Sequence, residues 1–198
     1  MKPWLSETQS GPSIPYPAQA RSESYNYGYV DLKRNPEKVS EIPELQDLQE
    51  LAELVQTLNR ADSIFRTLGC ERSLSKSDDP QFRVKLVSYV DIAFEVLGWN
   101  HRENFVELFN LFLAHLQERD LMVALPDAIA VEFETAPCFY ADHGFSGRLV
   151  TIWNYGYGDN ENEAIDMWSS GLKVVRDFLV EQSSVSRDEL KKGYQTIS

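Results

Sequence analysis

The sequence predicts an α+β fold: an N-terminal helical half of three helices, then a small antiparallel sheet covered by a C-terminal amphipathic helix, with an extended N-terminal arm in front. Three observations predict it. The run RLVTIWNYGY from Arg148 breaks at Gly158-Asp159 and passes directly into a strongly amphipathic helix pattern that reaches Leu179. Between 43 and 119, apolar residues recur at steps of three and four. The first forty residues carry Pro3, Pro12, Pro15, Pro17 and Pro36 with Tyr16, Tyr25, Tyr27 and Tyr29, and almost no aliphatic side chains. The 198 residues thus divide into an extended Pro/Tyr-rich arm (1–40), a single α+β domain (41–183) and a loose tail (184–198). An apolar content of 42% suffices for a core in a domain of this size.

The arm is expected to be extended on its own, because proline restricts φ and lacks an N–H while Ser, Gly and Gln bury little. Helix one is expected over Pro43–Leu68, where Leu45, Leu48, Leu51, Val55, Leu58, Phe65 and Leu68 make one stripe and Gly69 supplies the stop. A polar loop over 70–81 ends with Asp79 as N-cap and Pro80 at the first helical position. Helix two then runs to Leu97 on the face Phe82, Leu86, Val90, Ala93, Phe94 and Leu97. Helix three, His101 to Arg119, has apolar residues around most of its circumference, from Phe105 to Leu116, which makes it the candidate for the most buried helix.

After Asp120 the period changes to two. Ile129, Val131 and Phe133 alternate with Ala130, Glu132 and Glu134, the mark of a strand over 128–134, and CFYA after Pro137 reads as a short edge strand. In the strand over 148–157, Leu149, Thr151, Trp153, Tyr155 and Tyr157 share one side, and Val150, Ile152, Asn154 and Gly156 the other. Helix four starts at Asp159 or Asn160, with Glu161 and Glu163 at its positive end and a buried stripe of Ile165, Trp168, Leu172, Val175 and Leu179. The tail carries one short helical stretch at 186–192.

Charge excludes some classes of partner. With 19 basic and 31 acidic residues the net charge is −12, which repels nucleic-acid backbones and anionic lipid. Cys70 and Cys138 form neither a C-x-x-C pair nor a zinc set. Met1 is followed by no apolar run of signal-peptide length, and the chain reads as cytoplasmic with reduced thiols.

No motif declares a chemistry. Gly144-Phe145-Ser146-Gly147 has G-x-S-G in place of the nucleophile-elbow G-x-S-x-G, and a hairpin turn explains its glycines. His101, His115 and His143 lack metal-ligand spacing. Asp142-His143, with Cys138 and Glu134, is the remaining cluster able to do acid–base work. Neither Walker nor dinucleotide glycine patterns occur, so no cofactor is expected, and the chain's own carboxylates occupy the helix start after Gly158. Locally, Gly158-Asp159 followed by Glu163-Ala164 after an aromatic strand resembles the strand-to-helix passage of HicB-type antitoxin domains. The resemblance is confined to that passage, lacks the Pro and Gly that precede it there, and implies no family.

Aromatic residues are the stronger pointer. Tyr25, Tyr27 and Tyr29 alternate in the arm, and Tyr155 and Tyr157 in the strand, so each set shows its rings on one side when extended. With Trp4 and Tyr16 they are the candidate partner-binding residues, weighed against docking of the arm rings on their own domain and packing of Trp153, Tyr155 and Tyr157 beneath helix four. The reading that uses most features is a non-catalytic interaction or adaptor protein whose arm orders on another protein, a basic one or a second copy. The alternatives are an acidic inhibitor or immunity-type antagonist of a basic nucleic-acid-binding protein or toxin, and a hydrolase-type enzyme built on the Asp142-His143 loop. Direct binding of nucleic acid or membrane is not expected.

Overall fold

The structure, a computed structural model, describes residues 1–20, 25–46 and 48–184. It is a mixed six-stranded sheet with helices on one face, which overturns the expected helical N-terminal half. In chain order come β1 (Lys2–Glu7), β2 (Ser13–Ile14), the small pair β3 (Gln19–Ala20) and β4 (Tyr25–Asn26), and α1 (Gln49–Leu58). There follow β5 (Phe65–Lys76), β6 (Val84–Phe94), α2 (Arg102–Glu118), α3 (Leu121–Ala124), β7 (Ile129–Tyr140), β8 (Phe145–Gly158) and α4 (Glu161–Ser184). The sheet order is β1-β7-β8-β6-β5, with β2 continuing β1 along the outer edge of β7. β5–β6, β6–β8 and β7–β8 are antiparallel, whereas β1 and β2 run parallel to β7.

Two of the three expected N-terminal helices are therefore wholly or partly strand. Phe82, Leu86, Val90 and Phe94 fit a helical stripe, but Leu86, Ser88, Val90, Ile92 and Phe94 also alternate, and these five are buried. Lys85, Val87, Tyr89 and Asp91 between them face the other way, as the pleat requires. The β-branched content of VKLVSYVDI favours the strand. Likewise α1 stops at Leu58, and Phe65–Leu68, counted as its last turn, opens β5. Gly69 is not a helix stop: the register of β5 against β6 shifts between Thr67 and Gly69, and a Cβ there would lie 3.0 Å from the Tyr16 hydroxyl and 3.2 Å from Asp91.

The opening residues are the second correction. They are not an arm outside the fold: β1 pairs from Lys2↔Ala130 to Glu7↔Thr135, and β2 pairs Ser13↔Phe139 and Ile14↔Tyr140. Pro3 is tolerated because β1 is an edge strand. Between the two strands the chain spends six steps where β7 spends four, and Gly11 fills this bulge so close to Pro137 that a Cβ would overlap its carbonyl. The amide N–H of Thr8 donates to Thr135 O and that of Phe139 to Pro12 O on either side of it. Further on, Arg66 binds Asp31, and the Lys33 ammonium donates to the carbonyls of Arg60 and Ser63. What lacks aliphatic residues to build a core borrows one by adding a strand to an existing edge.

One face of the sheet meets the helices. α4 crosses its centre: Gly156 of β8 lies so near that a Cβ would fall 2.2 Å from the Trp168 amide nitrogen, and the Asn154 side chain donates to Trp168 O at 2.8 Å. The Trp168 indole N–H donates to the Ser88 hydroxyl at 2.9 Å. α1 is clamped to α4 by Glu53 and Arg176, and α2 by Phe112, whose ring packs at a tilt between those of Phe133 and Phe178. The apolar stripe of α4 follows its expected course through Trp168, Leu172, Val175 and Leu179. It is α4, not α2, that lies over the middle of the sheet. Residues 185–198, including the helical stretch suggested at 186–192, lie outside the described residues. No described helix is long and apolar enough to cross a membrane.

Candidate interaction face

Among the described residues no helix lies on the opposite face of the sheet, and the N-terminal chain covers one end of it. There Ile14, Leu68, Ala93, Ala136, Cys138, Tyr140 and Leu149 form a second buried cluster, closed from above by Tyr16 and Tyr29. The two tyrosines meet edge to face at 6.3 Å, the Tyr16 hydroxyl donates to Leu68 O at 3.1 Å, and the Tyr29 amide to Tyr16 O. Burial pushes the Tyr16 phenol up to about 12 and the Cys138 thiol up to about 11.

The other end of this face is open and carries a continuous row of rings. Side-chain alternation along β8 turns Thr151, Trp153, Tyr155 and Tyr157 outward while Val150, Ile152 and Asn154 go under α4. Trp153 stands 6.4 Å from Tyr155, and Tyr155 6.4 Å from Tyr157, at interplanar angles of 23° and 9°. β1 supplies Trp4, opposite Glu132, stacked on Tyr155 at 5.6 Å. β6 supplies Tyr89, 4.9 Å from Trp153, and Phe82 before it packs on Tyr157 at 5.6 Å. Trp4 is the most open of these, with 37% of its surface exposed; the others are half-buried.

Carboxylates are set among the rings. The Tyr155 hydroxyl donates to Glu132 at 3.1 Å and the Trp153 indole N–H to Glu134 at 3.0 Å, while the Ser6 hydroxyl donates to the second Glu132 oxygen. Their partners are neutral N–H and O–H groups, so both keep their negative charge unbalanced. Burial, then the charge of Glu132, raises the Tyr155 phenol; burial, then Asp91, raises that of Tyr89. Asp91 marks the boundary between the two ends. It accepts a 2.6 Å hydrogen bond from Thr151, yet burial drives its pKa up to about 6, with Glu134 adding to the rise.

Of the residues expected to bind a partner, the fold gathers Trp4, Tyr155 and Tyr157 on this open face. It sends Tyr16 and Tyr29 to the buried cluster. Tyr27 is exposed over 56% of its surface and lines a cleft of about 410 Å³ beside the outer edge of β5, with Val30, Lys38, Glu44 and Cys70. Tyr25 pairs through its backbone with Ala20. Packing of Trp153, Tyr155 and Tyr157 beneath α4 does not occur, because they point away from it. Tyr89, Phe82 and the carboxylates of Asp91, Glu132 and Glu134 were not singled out for this surface. Tyr89 was hidden by the helical reading of its strand; its alternation with Lys85, Val87 and Asp91 was the signal available.

The Asp142-His143 cluster is not assembled. Both residues are exposed in the turn between β7 and β8, where Gly144 takes φ 57°, while Cys138 is buried and Glu134 lies a further four residues down β7, roughly 13 Å along a strand. Ser146 is exposed on β8 opposite Phe139. The start of α4 is closed by its own capping box: Asn160 accepts from the Glu163 amide, and Glu163 from the Asp159 amide. Among the described residues no group of three His, Cys, Asp or Glu side chains could hold a metal ion. Comparison with protein-family models, with curated proteins and with solved structures finds no match to this chain.

Proposed function

We propose that this protein acts by binding another protein through the open end of its sheet, as an adaptor or complex subunit in the cytoplasm. The single observation that carries the reading is the row Trp4-Tyr155-Trp153-Tyr89, with Tyr157 and Phe82 alongside, at the end of this face that no element among the described residues covers. Large rings with polar tips are the side chains that anchor protein interfaces, because they bury much area for little lost freedom. Apart from Phe82, which precedes β6, the rings sit on strands, and they pack on one another, so the surface is formed before a partner arrives and little ordering cost falls on binding. The two free cysteines suit a reducing compartment.

The test is position-resolved cross-linking in the native host, with photo-reactive benzoylphenylalanine placed at Trp4, at Tyr157, or at Glu107 on the exposed side of α2. Discrete cross-linked species are expected from the first two positions and none from the third. A mass of twice the chain would name the partner as a second copy. Species from Glu107 alone, or none from either sheet position, would remove the reading.

A further inference from the structure

The chemistry of this face also selects the class of partner. Rings alone would accept any apolar surface, but Glu132 and Glu134 stand between them, Glu71 lies opposite Tyr89, and Asp91 adjoins the row. The carboxylates of Glu132 and Glu134 take hydrogen bonds from Tyr155, Trp153 and Ser6. These bonds fix the oxygens in place without neutralising them. Among the described residues, the cations at the open end of this face lie at its rim: Lys2 at the outer end of β1 and Lys85, which is bound to Asp78 at 3.0 Å; Arg66, at the covered end, is bound to Asp31 and Glu95. The whole chain adds a field of net charge −12. A phosphate or carboxylate ligand would meet repulsion at every step. A neutral one would leave the charges of Glu132 and Glu134 desolvated and unpaired, which is costly.

A cation resolves both problems, and its shape can be read as well. Trp and Tyr faces attract a cation held within about 6 Å of the ring centroid. Neighbouring centroids in the row are 4.9 to 6.4 Å apart, so a group lying over the gap between two neighbouring rings is within that reach of both. A guanidinium is planar, weakly hydrated, able to lie on a ring and able to donate sideways to a carboxylate at the same time; an ammonium is compact and strongly hydrated. We infer that the face receives an arginine-bearing segment of a partner protein, its guanidinium groups lying on Trp4, Tyr155 and Trp153 with Glu132 and Glu134 as their counter-charges. This deepens the proposed function and rests on it.

The test titrates the full chain with a short peptide of alternating arginine and serine, with its citrulline counterpart of the same shape but no charge, and with its lysine counterpart. Binding is read by calorimetry and by tryptophan fluorescence. The arginine peptide is expected to bind at least tenfold more tightly than the citrulline peptide and more tightly than the lysine one, with an affinity that falls as salt rises. The double variant Glu132→Gln, Glu134→Gln keeps the acceptors for Tyr155 and Trp153 and is expected to lose at least tenfold in affinity at an unchanged melting temperature. Trp4→Ala, on an edge strand and the most exposed of the rings, is expected to do the same. Equal binding of the arginine and citrulline peptides, no binding of the arginine peptide, or undiminished binding by the Gln variant would overturn the inference. Cross-links from Trp4 and Tyr157 persisting under any of those results would leave the face as a protein-binding surface for a partner of different chemistry. Loss of those cross-links as well would remove both.

Discussion

Asp91 shows how a single side chain can carry a measurable signature of this face. A carboxyl held at about 6 in the folded chain, against its ordinary 3.8, keeps its proton more tightly when folded than when unfolded. Its contribution is therefore most favourable at low pH and is lost as pH rises from about 3.8 through about 6. A rise of about two units corresponds to roughly 3 kcal/mol. Glu7, Asp78 and Glu181 work in the opposite sense, since hydrogen bonds from Arg102, Lys85 and His115 lower them. The comparison must therefore be with a variant. Asp91→Asn, which can still accept from Thr151, is expected to be more stable than the parent by about 2 to 3 kcal/mol at pH 7 and to lose that advantage near pH 4. Urea unfolding at both pH values measures this, and parallel pH profiles for the two proteins would show that Asp91 ionises as freely folded as unfolded.

At the scale of elements, the tightest contact is α4 on β8. Gly156→Ala would gain about 0.5 to 1 kcal/mol from replacing glycine within a strand. Against this stands a Cβ 2.2 Å from the backbone nitrogen of Trp168 and 2.3 Å from Ala164 O, and backbone cannot swing aside as a long side chain can. Overpacking of this kind costs about 1 to 3 kcal/mol or more, so a net loss of about 2 kcal/mol in urea unfolding is expected. No loss would mean that α4 stands further off. This strand-to-helix unit was legible in the sequence because both its elements show one clean period: two from Leu149 to Tyr157, and three to four from Ile165 to Leu179. α2 was legible because Phe105, Leu108, Phe109, Phe112 and Leu116 keep the three-to-four step although further apolar residues widen the stripe. The hairpin β5–β6 was not, since Phe82, Leu86, Val90 and Phe94 satisfy both periods at once and the polar end of β5, Ser73–Lys76, is solvent-exposed and resembles a loop. Of the interaction face, Tyr155 and Tyr157 could be placed on one side from their strand alone. Trp4 could be named but not placed, because a parallel pairing across some 128 positions leaves no trace in local spacing.

For the molecule as a whole, one structural fact ties these pieces together. A sheet edge along β7 would stand open if the opening residues lay elsewhere, and open edges invite pairing with other chains. β1 and β2 close that edge, and in closing it they bring Trp4 onto Tyr155 and Ser6 onto Glu132. The end of the face under Tyr16 and Tyr29 is closed by the same segment, so that among the described residues the aromatic row and its carboxylates are what stays uncovered on this face of a chain of net charge −12. Amide hydrogen exchange of the intact chain in isolation tests this most directly. Residues 2–7 are expected to exchange as slowly as the facing residues 130–135 of β7, apart from the outward-pointing amides of an edge strand. Exchange of residues 2–7 at the rate of a free peptide, while 130–135 stay protected, would contradict it, and the aromatic row would then end at Tyr155.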